Sequence, residues 1–585
     1  MYGFYGRLLR VNLSDRSFAV ENLAQDVYKA YLGGKGLGTY LLLREVPPGT
    51  DPLSPENKLV FTTGPATAGV LPGTSRYGVF SKSPLTGFYA ESYAGGRVAP
   101  AMRRTGYDAI VVEGASAGPV YLEIGDGGVS FHDASHLWGK ETYATEDAVL
   151  AEVGKPGAQA VVIGPAGENQ VRFACLVNNY WRSAGRTGLG AVMGAKKLKA
   201  LVFYGKARCE AAHPELFKEI AARLTARGKG NPGVRAYQTY GTPMMVGVVN
   251  SAGAFPSRYW CAGSDPHWKN LSGETLLEKF DVRPKACPNC FLTCGKLVTV
   301  KEGRRAGLTI EGPEYETIYA FGGLCCINDL AEVAYLNDLC DRLGMDTITA
   351  GNLVGLVMEA GARGRVKGFP PYGDAEGAAG LLRDIAYLRG PGKILACGIK
   401  QAAREMELED LAVHVKGLEP AGYDPRVLKG MGLAYATSTR GACHLRATFY
   451  KAELSGMIDP SAVEGKAALF VDFEDRLTIF NTQILCVFFR DLIQWDELVP
   501  LVRASTGWGL TREELGRIAN RIITAARIFN IREGATRADD TLPRRLFEEP
   551  INDGRNVITR KELDIMLDDY YRLRGWDENG VPPEI

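Results

Sequence analysis

Three cysteines crowd the segment Ala286-Cys287-Pro288-Asn289-Cys290-Phe291-Leu292-Thr293-Cys294, a C-x2-C-x3-C spacing. A loop of that length can wrap three thiolates around one cubic iron–sulfur cluster, with a fourth ligand drawn from elsewhere in the chain. Zinc takes the same sulfurs but usually adds a second nearby pair, which is missing here. Unligated cysteines in a turn are the third reading. Nine further cysteines lie outside the triplet, and spacing alone does not choose a fourth ligand among them. Histidine is scarce, six in 585 residues, so one inside a motif is informative. Taken alone, His444 reads as a satisfied core histidine.

The elements that must position these groups change character along the chain. From residue 1 to about 208, short β-rich runs are cut by glycine: KLVFTTG from Lys58, YGVFSKS from Tyr77, DAIVVEG from Asp108, VYLEIG from Val120, AVVIGPAG from Ala160 and KALVFYG from Lys199. Several end at Gly or Pro rather than entering a long helix, which favours antiparallel pairing. After His213-Pro214, apolar residues recur three and four apart, as in ELFKEIAARLTA from Glu215, LAEVAYLNDLCDRL from Leu330 and REELGRIANRIITAARIFN from Arg512. These are amphipathic helices. The expected fold is therefore α+β: an antiparallel sheet domain over 1–208, then two mainly helical domains over 209–415 and 416–585. The Gly/Pro-rich stretch Arg363–Gly373 reads as a surface loop.

Composition bounds the partners. Lys+Arg total 68 against 67 Asp+Glu, for a net charge of +1, with 46% hydrophobic and 23% charged residues. That balance disfavours nucleic acid and acidic membrane surfaces. No apolar run approaches the roughly 18 residues of a membrane span, and the first residues lack a basic-then-apolar signal pattern. The expected compartment is the cytoplasm, where twelve cysteines stay thiols or metal ligands rather than disulfides.

Over almost its whole length the sequence resembles the tungsten-containing aldehyde:ferredoxin oxidoreductase family. The resemblance rests on YGRLLRVNL at Tyr5, YLGGKGLG at Tyr31, PGTSRYGVFSKSPLTG at Pro72, RSAGRTGLGAVMGAKKLKA at Arg182, CPNCFLTC at Cys287, GPEYET at Gly312, DRLGMD at Asp341, GLEPAGYDPR at Gly417, ATSTRGACHLRA at Ala436 and DDYYRLRGWDENG at Asp568. It implies tungsten, or molybdenum in some relatives, held by two pterin dithiolenes without a protein ligand, buried at the domain junction. It also implies a [4Fe–4S] cluster on Cys287, Cys290, Cys294 and Cys486. A magnesium ion bridging the pterin phosphates would fall on carbonyls near Tyr93 and Ser183.

Pterin phosphates demand backbone N–H donors, close backbone approach and cations. The matching loops carry Gly33, Gly34, Lys35, Gly36, Arg76, Gly95, Gly96, Arg182, Ser183, Gly185, Arg186 and Gly188. Of two D-x-x-G motifs that face the pterins in the family, the first stands as Asp341, Gly344 and Asp346. The second survives as Asn481-Thr482-Gln483-Ile484-Leu485-Cys486, keeping Asn481 and Leu485. Gly344 could equally be a plain helix C-cap. The resemblance makes His444 a hydrogen-bond donor or proton relay beside the metal, and Glu316, ahead of Glu314, the base that deprotonates water. Alternation on a strand would put both glutamates on one face and leave Glu314 to an arginine. Tyr423 would line the aldehyde pocket, or else pack on Pro425. Electrons would leave to ferredoxin or a small polyferredoxin-like subunit, in a homodimer or heterodimer. Glu332 has no histidine between His267 and His414 to join it, so no mononuclear iron is expected. Competing readings are an aromatic acyl-CoA reductase subunit, a non-catalytic iron–sulfur carrier and a zinc scaffold.

Overall fold

The computed structural model describes residues 1–67 and 69–583. Each β-rich run becomes a strand. The first sheet has the order Ser17–Asn22, Arg7–Asn12, Ala109–Glu113, Leu59–Thr62, Tyr77–Lys82, Tyr89–Ala94. The second runs Arg182–Ala184, Leu176–Asn178, Gln159–Val162, Leu198–Phe203, Val120–Gly125, Gly128–Asp133. Pairing is antiparallel as expected except once in each sheet: Arg7–Asn12 runs parallel to Ala109–Glu113, and Leu198–Phe203 parallel to Val120–Gly125. Both exceptions join strands distant in sequence, which no local turn signal can announce. Apolar side chains from the two sheets, including Leu9, Phe61, Val112, Leu122, Ile163 and Phe203, share one core.

The helical segments fall where the periodicity put them, at Pro214–Gly228, Leu330–Leu343 and Arg512–Arg532. Arg512–Arg532 opens with a capping box in which Thr511 and Glu514 satisfy each other's backbone N–H groups. The Arg363–Gly373 stretch lies between the helices Thr347–Ala362 and Ala375–Ala386. Within the helical part, a three-stranded antiparallel sheet, Phe280–Lys285, Gly295–Val300 and Thr309–Glu311, departs from the expected pattern. The cysteine triplet is the loop joining its first two strands. We propose the divisions near 208 and 415 as domain boundaries, although one apolar core, with residues from Leu85 to Trp576, has side chains on both sides of each. None of the twelve cysteines is disulfide-bonded, and among the described residues no helix is long and apolar enough to cross a membrane.

Candidate active site

The two sheets present their edge strands, Tyr89–Ala94 and Arg182–Ala184, to a cavity of about 310 Å3. An edge strand carries backbone N–H and C=O groups without a ladder partner, so this junction supplies polar backbone without further design. Tyr93 and Ser183, one from each edge, both line the cavity, as do Arg76, Gly185, Arg186, Glu314, Glu316, Tyr423, His444 and Asn481. Arg440, Arg446, Arg490 and Tyr450 join them. Sequence reading did not assign these last four, although Arg440 and Arg446 flank His444 in a motif already noted.

Glu314 and Glu316 do not share a strand face. The strand ends at Glu311, and Tyr315–Thr317 is a short helical turn preceded by Glu314 as its N-cap residue. The carboxylates therefore diverge. Glu314 accepts from the Thr242 hydroxyl and lines the cavity. Burial raises its pKa, with Arg182 pulling the other way. Arg182 itself pairs with Glu311, which Lys285 also approaches at 3.4 Å. Glu316 accepts from the Gly422 N–H at 2.9 Å, and its Oε1 lies 3.5 Å from His444 Nε2. Burial pushes Glu316 up to about 8, while burial and then Arg186, Arg440, Arg446 and Arg490 hold His444 well below its ordinary value. At neutral pH the pair is a carboxylic acid beside a neutral imidazole, so His444 acts as a hydrogen-bonding group and Glu316 carries the titration. Glu316 Oε1 and His444 Nδ1 have no hydrogen-bond partner. Tyr423 stacks on Tyr450 with centroids 4.0 Å apart and stands 5.9 Å from the His444 ring.

The cations around the cavity have spare donors. Arg186 reaches Asp346 at 3.1 Å and Glu419 at 3.5 Å, yet its Nη2 makes no hydrogen bond. Arg440 Nε, Arg446 Nε and Nη1, Arg490 Nε and Asn481 Nδ2 are likewise buried without partners. Arg446 is in ion-pair contact with Glu91 at 2.7 Å, but off the direction a hydrogen bond needs. Burial alone would raise the Cys443 thiol, yet Arg440 and Arg446 draw it down to about 7. Unfilled guanidinium donors in a dry cavity are costly unless an anion fills them. The donor set thus fits a phosphate-bearing ligand.

The cysteine loop adjoins this cavity. Gly96 N–H points at Cys287 Sγ, 3.3 Å away, and a Cβ on Gly95 would sit 3.2 Å from the same sulfur. Burial raises the Cys290 and Cys294 thiols, and Cys486 lies near enough to both to add to the rise. Phe291 and Phe489 pack edge to face at 5.2 Å, holding the two segments together. Arg76, which lines the cavity, reaches Cys486 Sγ at 3.9 Å. Among the described residues no three His, Cys, Asp or Glu side chains converge as a single-ion site.

Other anticipated residues sit back from the cavity. Lys35 is held by Glu91 at 3.1 Å. Gly344 is the left-handed C-cap of Leu330–Leu343, and Asp346 caps the next helix while pairing with Arg186. Asp341 accepts from Asn337, and Leu485 packs into an apolar cluster. Glu332 is engaged by Arg304 and Arg305 at 2.6 and 3.0 Å.

Residues 8–205 match the model of the aldehyde ferredoxin oxidoreductase N-terminal domain, and residues 219–584 match that of its domains 2 and 3. The chain belongs to the aldehyde ferredoxin oxidoreductase family. It is an oxidoreductase. It is 39% identical to the tungsten-containing aldehyde ferredoxin oxidoreductase of Pyrococcus furiosus, over 100% of this chain and 98% of that protein. It is 29% identical to the WOR-like subunit of an aliphatic sulfonate oxidoreductase from the same organism, covering 100% and 96%. Among solved structures it is similar to the active site complex BamBC of benzoyl coenzyme A reductase bound to 1,5-dienoyl-CoA. That match has a TM-score of 0.85 at 25% identity, covering 99% and 96%.

Proposed function

We propose that this family member is a cytoplasmic, tungsten-dependent enzyme that oxidises aldehydes to carboxylic acids, reversibly in principle. Its electrons would pass through a [4Fe–4S] cluster to ferredoxin or to an iron–sulfur partner subunit. The observation that carries this reading is one cavity lined by unfilled arginine donors and the Glu316–His444 pair, with Cys486 of the cysteine group within 3.9 Å of the cavity-lining Arg76. Arg76, Arg186, Arg440, Arg446 and Asn481 would hold a phosphate-bearing pterin pair. Tyr93 and Ser183 would offer carbonyls to a magnesium ion, and Cys287, Cys290, Cys294 and Cys486 would hold the cluster. We propose no mononuclear iron, because Glu332 is already neutralised by two arginines.

The tungsten bis-pterin, when bound, accepts the two electrons that leave the aldehyde carbon. The overall change is aldehyde plus water to carboxylic acid, two protons and two electrons. His444 donates a hydrogen bond to the carbonyl oxygen and orients it. Glu316, once ionised, takes the proton from water as the new carbon–oxygen bond forms. The Tyr423–Tyr450 stack excludes bulk water from that proton transfer.

The test is anaerobic purification from cells supplied with tungstate, then elemental analysis and dye reduction. About one tungsten and four irons per chain, with aldehyde-dependent viologen reduction, is the expected result. Zinc alone, or metal-loaded protein inert to every aldehyde, would overturn the reading. The fold match to BamBC favours one alternative, reduction of the aromatic ring of an aryl-CoA thioester, which would appear as oxidation of a reduced dye by that thioester without aldehyde activity.

A further inference from the structure

The N–H group that meets Cys287 belongs to a peptide unit held from its other end. Gly96 N points at Cys287 Sγ, 3.3 Å away, and the Gly95 carbonyl of the same peptide accepts from Asn178 Nδ2 at 3.0 Å. The next N–H, of Arg97, donates to Asn179 Oδ1 at 2.8 Å, and Asn178 Nδ2 also reaches that oxygen at 3.0 Å. Asn178 is fully buried, and its own Oδ1 accepts from the Tyr77 hydroxyl at 2.8 Å. A Cβ on Gly96 would lie 2.4 Å from Asn179 Oδ1, so the approach admits no side chain. The Gly95–Gly96 peptide therefore takes its orientation from the loop joining Leu176–Asn178 to Arg182–Ala184.

That loop is held in an unfavourable conformation. Asn179 and Tyr180 sit at φ of +50° and +64°, a left-handed pair in which neither residue is glycine. What pins them is one carboxylate: Asn179 N donates to Glu146 Oε1 at 2.9 Å and Tyr180 N to Glu146 Oε2 at 3.0 Å. Glu146 comes from the helix Thr142–Val153 and is 3% exposed. Without it, two amides lose their acceptor and the strained pair is free to relax.

We propose, resting on the reading of Cys287 as a ligand of a [4Fe–4S] cluster, that Glu146 is a positioning residue for electron transfer. Acting through the Asn179-Tyr180 loop, it keeps the Gly96 N–H on Cys287 Sγ and so holds the cluster's reduction potential up. Reduction adds one electron to the cluster and breaks no bond, and a hydrogen bond to a ligand sulfur stabilises that added negative charge. The charge of Glu146 acting directly would do the reverse, since a nearby carboxylate repels the incoming electron. Removing Glu146 thus lowers the potential if it works through the loop and raises it if it works as a charge.

The experiment is a reductive titration of the anaerobically purified, cluster-loaded full chain, followed by the electron paramagnetic resonance signal of the reduced cluster. Glu146→Ala is expected to lower the reduced-to-oxidised ratio at fixed potential about tenfold, a fall of about 59 mV for one electron. Glu146→Gln keeps the shape and one acceptor oxygen, so it should lower the potential by less and serves if the alanine variant fails to fold. Adding Tyr180→Gly to either variant lets the loop turn left-handed without strain and should return the potential toward wild type. A potential unchanged or raised in the single variants, or one that the added glycine does not restore, overturns the proposal while leaving the cluster in place. Wild-type chain that carries no four-iron cluster removes the cluster reading itself, and this proposal with it.

Discussion

Glu316 is the residue whose proton decides the chemistry. Its carboxyl is raised from 4.5 to about 8 by burial, so the ionised base accumulates only as pH rises toward that value. The aldehyde oxidation rate should climb with pH through the neutral range, with no inflection from His444, whose imidazole stays neutral. Glu316→Gln should lose roughly 10^2 to 10^4 in kcat. The sign for stability is opposite. A folded-state pKa above the unfolded value means the native protein holds its proton more tightly, so stability falls between about 4.5 and 8 as pH rises. Thermal unfolding of the metal-free protein across that window should show the fall, and Glu316→Gln should flatten it. An identical pH slope in wild type and variant would remove Glu316 as its origin. The motif marked two glutamates and the resemblance preferred Glu316; their position on a helical turn sets Glu316 beside His444 and Glu314 on Thr242.

At the scale of elements, the turn Asn481–Cys486 couples the sheet domain to the cysteine loop. Its first three residues end the helix Lys466–Gln483, and the Cys486 N–H donates to Gly73 O at 2.8 Å. Gly34 abuts it so closely that a Cβ there would lie 2.2 Å from Asn481 O, at a φ of +46°. Gly34→Ala therefore combines left-handed strain of about 1–2 kcal/mol with overpacking of about 1–3 kcal/mol. The variant should bind fewer irons per chain, read by iron analysis, with its far-UV helix signal retained. Full iron content would mean the turn does not depend on this approach. The strands and helices themselves were legible from period-two runs, period-3.6 runs and glycine punctuation. The hairpin that carries the cysteines was not, because Phe280–Lys285 alternates for only six residues and includes a Pro, which disfavours a strand. Its identity as a strand comes from pairing with Gly295–Val300.

For the whole molecule, Glu91 ties the sheet domain to the helical part. Buried on the edge strand, it meets Lys35 at 3.1 Å, Arg446 at 2.7 Å and the Tyr93 hydroxyl at 2.6 Å. Burial would raise its pKa, but Arg446 and Lys35 together bring it down to about 2. A depressed pKa gives stability that is complete above about 4.5 and is lost as pH falls toward 2. Glu91→Gln should cost about 3–5 kcal/mol, since it strands two buried cations, and should soften the acid unfolding transition followed by circular dichroism. A loss below about 1 kcal/mol would show that the cations find other partners. By itself the sequence determined the α+β order, the cysteine spacing and the motifs that resemble a family, because turn chemistry and periodicity are local properties. Only the tertiary structure decided which arginines keep unfilled donors, that Glu314 and Glu316 diverge from a helical turn, and that Lys35 serves Glu91, whereas the choice of Glu316 and of Cys486 came with the family resemblance. Burial, cavity walls and charge pairing depend on contacts between residues up to hundreds of positions apart, and no local pattern encodes them.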